Sequence, residues 1–285
     1  MRDLPDLLAR IERVPPMSTV ATRLLQLQSS PNRSLAEVGK IVEVDAGLTA
    51  AVLKAANSAA ARPIQPVVSV RQAVTQLGER MVLALAVAGC VPGGMGARLD
   101  GYESERGALW RHSLRTALAA RGLARRCHPP VDADLAFTAG ILHDLGKSVL
   151  SETLKGEAAQ LLAKVDCSDA ADFARAEREA YGMCHAEVGE ALARRWNLPP
   201  ALRVGIRYHH EPGLAPEEFR SLAYAIHVAD VVAMMAGEGT GADTLCYRMD
   251  PGVGTVLKFS RREFEELMCR IGKEMERVPA GQEGP

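Results

Sequence analysis

The sequence predicts an all-α fold. Apolar residues recur at helical spacing through nearly the whole chain, and alternating β-branched or aromatic runs of the strand type are almost absent. Proline and glycine clusters punctuate the periodic segments. With 285 residues, 47% of them hydrophobic, the chain can form one large domain or two smaller ones with real cores.

In the first third, Pro15 and Pro16 open a helix running through Val20, Leu24, Leu25 and Leu27. Ser34 stands three residues before Glu37, the spacing of a capping box, and so starts a second helix. Ala46 to Ala56 gives a third, with Leu48, Val52 and Leu53 on one side and Asn57-Ser58 at its end. Val70 to Val91 supplies one or two more, interrupted near Gly78. The run Pro92-Gly93-Gly94-Met95-Gly96 then breaks the pattern, which places a boundary between an N-terminal lobe, 1–96, and a second lobe, 97–278.

The second lobe reads as helices at about 105–127, 132–147, 152–165, 168–181, 185–196, 199–210, 217–236 and 260–276. Pro199-Pro200 and Pro212 separate them, because a helix interior loses a hydrogen bond and clashes at proline. Residues 279–285 read as a disordered tail.

Bulk properties narrow the function. A formal charge of −1 offers no field for a polyanion, and Arg194-Arg195 and Arg261-Arg262 are short basic pairs of the kind found on solvated helix faces. Direct nucleic-acid binding is therefore not expected. Six scattered cysteines, without a C-x-x-C pair, read as buried thiols of a reducing compartment. The start carries Arg2, Asp3 and Asp6 and lacks a signal-peptide layout, and the longest apolar stretch, near Met81 to Val91, is too short for a bilayer. A cytoplasmic location without membrane contact follows as the expectation.

The sharpest local signal is Ile141-Leu142-His143-Asp144-Leu145-Gly146-Lys147, where two strong metal-binding side chains end an apolar helix. A buried aspartate needs a metal, a lysine such as Lys147, or a polar network. Taken alone, His143 and Asp144 could equally cap the helix, with Asp144 paired to Lys147. The same half of the chain also places His112, His185, His209, His210 and Asp230 on or beside four other helices. Imidazoles with few carboxylates suit iron, manganese, nickel or zinc better than calcium or magnesium. With Asp144 shared between two cations, only two aspartates would face four positive charges, leaving an electropositive pocket that attracts phosphate and activates water. Taken singly, these histidines have bland readings too: His112 as a core histidine, His209-His210 as a helix C-cap. His227 lies one turn before Asp230 and reads as ordinary packing or as its orienting partner. His128, beside Pro129-Pro130, reads as a surface residue, and Gly93-Gly94 and Gly237 to Gly241 as plain loops.

Taken in order, Trp110-Arg111-His112-Ser113, Leu142 to Lys147, His185 with Gly189, Trp196-Asn197-Leu198-Pro199, His209-His210 and His227-Val228-Ala229-Asp230 resemble the HDOD (HD-related output domain) family. Val14 to Leu27, Asp45 to Ser58 and Ala73 to Gly78 resemble that family's helical N-terminal portion, and Leu53 to Ser58 is the most specific piece. The resemblance covers roughly residues 4 to 275. It implies a two-lobed helical fold with an HD-like core, and a bacterial signalling module that serves as a response-regulator output domain or stands alone. It also implies kinship with HD and HD-GYP metal-dependent phosphohydrolases. The superfamily's metal-ligand positions carry over to His112, His143, Asp144, His185, His209, His210 and Asp230, and Lys147 falls where HD-GYP relatives keep a lysine that contacts substrate phosphate. After His209-His210-Glu211 the chain reads Pro212-Gly213-Leu214, so the glycine-tyrosine-proline signature of the cyclic-dinucleotide phosphodiesterases is missing. Asp45-Ala46 replaces the family's frequent aspartate-proline pair, and no receiver domain is read in this chain.

Two functions follow. One is a regulatory output module that acts through protein partners and keeps a metal-competent pocket. The other is a phosphohydrolase with a dinuclear centre of iron or manganese, or of zinc or nickel, acting on a nucleotide or phosphate ester. In that reading Asp144 and Lys147 would be catalytic.

Overall fold

In a computed structural model of the protein, residues 4–28, 30, 33–61, 63, 65–91, 93–163, 173–244 and 248–276 are described. The expected tail, 279–285, lies outside them, as do Cys167 and Cys246. Among the described residues the regular structure is helical, with only two isolated β-bridges. The first six helices are α1 (Leu4–Arg13), α2 (Thr19–Gln28), α3 (Leu35–Glu43), α4 (Ala46–Ala56), α5 (Val70–Leu77) and α6 (Glu79–Ala88). There follow α7 (Ala108–Ala124), α8 (Ala133–Leu142), α9 (Lys147–Leu154), α10 (Ala158–Leu162) and α11 (Phe173–Tyr181). The last five are α12 (His185–Arg195), α13 (Pro200–Tyr208), α14 (Glu217–Met235), α15 (Val253–Val256) and α16 (Arg261–Met275).

Capping chemistry sets several starts. Ser34 accepts a bond from the Glu37 N–H at 3.3 Å, and Asp45 accepts one from the Leu48 N–H at 2.9 Å, so Asp45-Ala46 opens α4 without a proline. Gly78 takes φ +78°, a conformation that costs glycine little, and the chain breaks there between α5 and α6. Several boundaries differ from expectation: the helix expected to open at Pro15-Pro16 begins at Thr19, where Ser18 Oγ accepts from the Ala21 N–H, and the one expected over 152–165 is split into α9 and α10. The segment expected as one helix over 132–147 stops at Leu142, and the next begins at Lys147. The His143–Gly146 turn between them aims His143 and Asp144 inward. Helix α1 was not expected; Leu7 and Ile11 bury one stripe of it against the second half of the chain, where α1 packs on α9 and α12.

Helices α2 to α6 pack on one another, while α7, α8, α13 and α14 form the centre of the second half, and α6 meets α8 between them. Buried apolar side chains from Leu7 to Ile271 make one connected cluster across both halves. Helices α7 and α8 touch backbone to backbone at Gly140, where a Cβ would lie 2.6 Å from the Ala117 Cα. That contact brings His112 of α7 beside His143.

A polar clasp joins the halves beside α6 and α8. Asp134 of α8 takes Arg80 Nε at 2.7 Å and also pairs with Arg33, whose Nε lies 3.1 Å from Glu79. Burial pushes the Asp134 carboxyl up, but bonding to Arg80 and Arg33 outweighs it and holds the group below the usual range. A depressed carboxylate stabilises the fold above its unfolded pKa of about 4 and loses that contribution as pH falls through the folded value. Asp134→Asn should cost about 1 kcal/mol at pH 7, as expected of a half-exposed network, and nothing well below pH 4. Urea melts of both proteins at the two pH values measure it.

Cysteine burial is mixed: Cys127 and Cys184 are buried free thiols, but Cys90 is half-buried and Cys269 exposed on α16, against the expectation that all are buried. Among the described residues no helix is long and apolar enough to cross a membrane.

Candidate metal centre

Seven side chains from five parts of the chain converge in the second half. His112 comes from α7, His143 and Asp144 from the turn after α8, His185 from the first turn of α12, His209 and His210 from the end of α13, and Asp230 from α14. His143, His185 and His209 have no exposure, His112, Asp144 and Asp230 have 3% or less, and His210 is half-buried.

They form two adjoining sets that share Asp144. In one, His112 Nε2 lies 3.2 Å from His143 Nε2, 3.5 Å from Asp144 Oδ2 and 3.0 Å from Asp230 Oδ1. In the other, Asp144 Oδ1 lies 3.5 Å from His185 Nε2 and 3.6 Å from His209 Nε2, with His210 Nε2 2.8 Å from His185 Nε2.

Hydrogen bonds on the far side of four of the five rings fix what faces inward. Nδ1 of His112, His143 and His209 lies 2.7, 2.8 and 2.7 Å from the backbone oxygens of Glu238, Gly140 and Ile206. A carbonyl only accepts, so each Nδ1 carries a proton, and each ring in its neutral, metal-binding form turns a bare Nε2 to the centre. His185 Nδ1 donates to Glu177 Oε2 at 2.6 Å with the same result. Lone pairs therefore point at lone pairs and at carboxylate oxygens. Asp144 Oδ1 and His209 Nε2 are buried with no hydrogen-bond partner. Beyond the Lys147 ammonium on Asp144 Oδ2, such a set of acceptors calls for cations, and its nitrogen-rich ligands fit divalent transition metals.

Without a metal, protons carry part of that load. Burial lowers His143, but Asp144 and Asp230 outweigh it and raise it above the ordinary histidine value. His209 and His210 are held well below it, by burial first and then by neighbouring imidazoles. Burial raises Asp144, yet Lys147 and the surrounding histidines hold it well below the carboxylate range.

The surrounding groups were mostly not foreseen. Glu177 of α11 is fully buried and accepts from the Tyr102 hydroxyl and from both the N–H and Nδ1 of His185. Its only sequence signal is the i, i+4 stripe Phe173, Glu177, Tyr181, which turns it inward while Glu179 faces solvent. The glycine-rich segment 237–244 is a loop, as read, and it also closes over the centre: the Glu238 carbonyl anchors His112, Thr240 and Asp243 hold Lys147, and the Ala242 N–H donates to Tyr102 O at 2.7 Å. Lys147 Nζ lies 2.7 Å from Asp144 Oδ2, 2.6 Å from Asp243 Oδ2 and 2.8 Å from Thr240 Oγ1. His227 does not orient Asp230. It donates to the His209 carbonyl at 2.8 Å and accepts from the Asp250 N–H at 2.8 Å, and so braces the His209-His210 turn. His128 is exposed, as read.

The centre and its surroundings thus bury four carboxylates, those of Asp144, Asp230, Asp243 and Glu177, with one ammonium, that of Lys147. Two divalent cations would overturn that deficit by a single charge, so the pocket is one charge less electropositive than two aspartates alone would make it. Glu177→Gln should leave the fold intact and weaken metal binding by about 10–100-fold at the set containing His185, the usual effect of losing a ligand's orienting partner. Competition with a chromophoric chelator measures it.

The family model for the HDOD domain matches residues 14–212. The chain belongs to the HDOD family. Its helical fold is shared with an HDOD domain protein of unknown function from Geobacter sulfurreducens, at TM-score 0.72 and 24% identity over 96% of this chain and 94% of that one. A Shewanella amazonensis protein, provisionally named a phosphohydrolase, aligns at TM-score 0.64 and 26% identity over 95% and 96% of the two chains. In sequence, an uncharacterized protein of Treponema pallidum is 27% identical over 80% of this chain, and ribonuclease Y of Thermus thermophilus is 31% identical over 57%. The HDOD chain spans 44% of the first and 23% of the second. Asp230 and the cover segment lie beyond the matched part of the family model.

Proposed function

We propose that this HDOD protein is a regulatory module, with lobes 1–96 and 97–278, that acts through protein partners and holds a dinuclear divalent metal, iron or manganese ahead of zinc or nickel, as a buried structural or sensing element. His112, His143, Asp144 and Asp230 would hold one ion, and Asp144, His185, His209 and His210 the other. One observation carries the preference for regulation over hydrolysis: six of the seven ligands have 3% exposure or less. A phosphate ester needs an entrance, and Lys147, the side chain that would steady it, is committed to Asp144, Asp243 and Thr240.

The second reading is a metal-dependent phosphohydrolase, favoured by the complete ligand set and by the names of the Shewanella and Thermus relatives. Bound ions would supply Lewis acidity toward water and a phosphoryl oxygen. Elsewhere the chain's residues would orient the donors, with Asp144 and Lys147 closest to the reacting group.

Protein purified without chelators, then loaded with manganese or iron(II), tests both. The regulatory reading expects about two metal ions per chain and no turnover of bis(p-nitrophenyl) phosphate, cyclic dinucleotides or single-stranded RNA. Turnover that disappears in Asp144→Ala overturns it in favour of hydrolysis, and metal-free protein that refuses both ions overturns the metal assignment.

A further inference from the structure

Away from the His/Asp centre, a cavity of about 570 Å³ lies between the two halves, under the turn that joins α12 to α13. None of the seven ligand candidates lines it. Its walls are Leu25 and Gln28 of α2, Leu135 and Thr138 of α8, and Trp196 and Leu202 on either side of the turn. That volume is the size of small-molecule sites, about 300–1,000 Å³.

The walls define the ligand's chemistry. Each charged group there already has partners. Arg33 meets Glu79, Asp134 and the Gln28 carbonyl, the last at 2.6 Å. Asp134 is shared by Arg33 and Arg80. Asp132 caps α8, accepting from the N–H groups of Asp134 at 3.0 Å and Leu135 at 2.8 Å. The one wall cation, Arg33, is held by two carboxylates, and none is left for an anionic ligand. Trp196 spends its only polar atom on the Pro15 carbonyl at 2.9 Å, so its ring offers carbon alone. Gln26 and Asn197 on the wall are exposed, and among its buried polar atoms one remains unmet: Gln28 Oε1 accepts from Thr138 Oγ1 at 2.9 Å, and Nε2 of the same carboxamide is buried without a partner. Buried polar atoms in folded proteins are ordinarily bonded, so an orphan on a cavity wall marks where a ligand atom belongs.

We infer that this cavity is a second binding site, for an uncharged, mainly apolar small molecule with one amide, carbonyl or hydroxyl group that meets Gln28. The site selects against nucleotides and other anions and is independent of the metal centre.

The probe is Nile red, a neutral polycyclic dye with one carbonyl, titrated into the full chain with and without prior chelation. The expected result is saturable emission at one dye per chain, equal in both samples. Leu25→Trp, which fills the cavity, should abolish it, and Gln28→Leu, which keeps the volume and removes the polar end, should weaken it about five- to tenfold. The anionic dye anilinonaphthalene sulfonate should compete poorly. Binding that neither substitution changes, in variants with unaltered melting, overturns the proposal. So does self-association that excludes the dye and is broken by Leu25→Trp, which would make a second copy the occupant. Should Leu25→Trp melt early, Gln28→Leu and the choice between neutral and anionic dye still decide the matter.

Discussion

Asp144→Ala should empty both halves of the metal centre at once, whereas His210→Ala should empty one. The reason is geometric: Oδ2 of Asp144 faces His112 and His143, and Oδ1 faces His185 and His209. Elemental analysis should read about two ions in the parent, about one in His210→Ala and none in Asp144→Ala. Stability should fall as well. Lys147 is fully buried and 2.7 Å from the lost carboxylate, and breaking one side of a buried ion pair costs about 3–5 kcal/mol. Metal adds to this through linkage, by about 2.7 kcal/mol per site at a hundredfold excess over Kd. A chelator should therefore lower the urea midpoint of the parent and leave that of Asp144→Ala unchanged. A variant that keeps both ions would show that Asp144 is not shared.

What the sequence made legible here were donors whose residue type is itself the signal. His112, His143, His185 and the His209-His210 pair stand out because imidazole is rare and each falls at a helix end or on an apolar face, and the resemblance to a known family set them in order. The surroundings were hidden for an equally physical reason. Glu177 is one of two glutamates on a charged helix, and only its burial against Tyr102 and His185 distinguishes it from Glu179. The cover at 237–244 works mainly through backbone carbonyls and N–H groups, which every residue carries, so its glycines read as an ordinary loop. Lys147 was placed correctly beside Asp144. Its second and third partners, Asp243 and Thr240, lie nearly a hundred residues away, and they make it part of a buried ion network. Helix α1 went unread because its partners, α9 and α12, are distant in sequence.

Gly146→Ala, one methyl group inside the same motif, should be nearly as damaging. Gly146 has ordinary right-handed angles, φ −66° and ψ −24°, so the backbone alone would accept alanine. Space would not. A Cβ there would stand 2.0 Å from the His185 carbonyl oxygen and 2.6 Å from the Gly189 N–H nitrogen, both backbone atoms of α12. No rotamer change can relieve that clash, and α9 and α12 must separate. Overpacking usually costs about 1–3 kcal/mol, and a backbone-on-backbone clash belongs at or above the upper end. Moving α12 also carries His185 away from Asp144 Oδ1, so the set with His209 and His210 should lose its ion while His112, His143 and Asp230 keep theirs. Gly272→Ala on α16 is the control, since its Cβ would meet nothing within 4 Å and should stabilise the helix by about 0.5–1 kcal/mol. Melting and metal content of the two variants together separate steric separation of α9 from α12 from any general intolerance of alanine. Equal stability of Gly146→Ala and the parent, with both ions retained, would mean that the two helices do not make this contact.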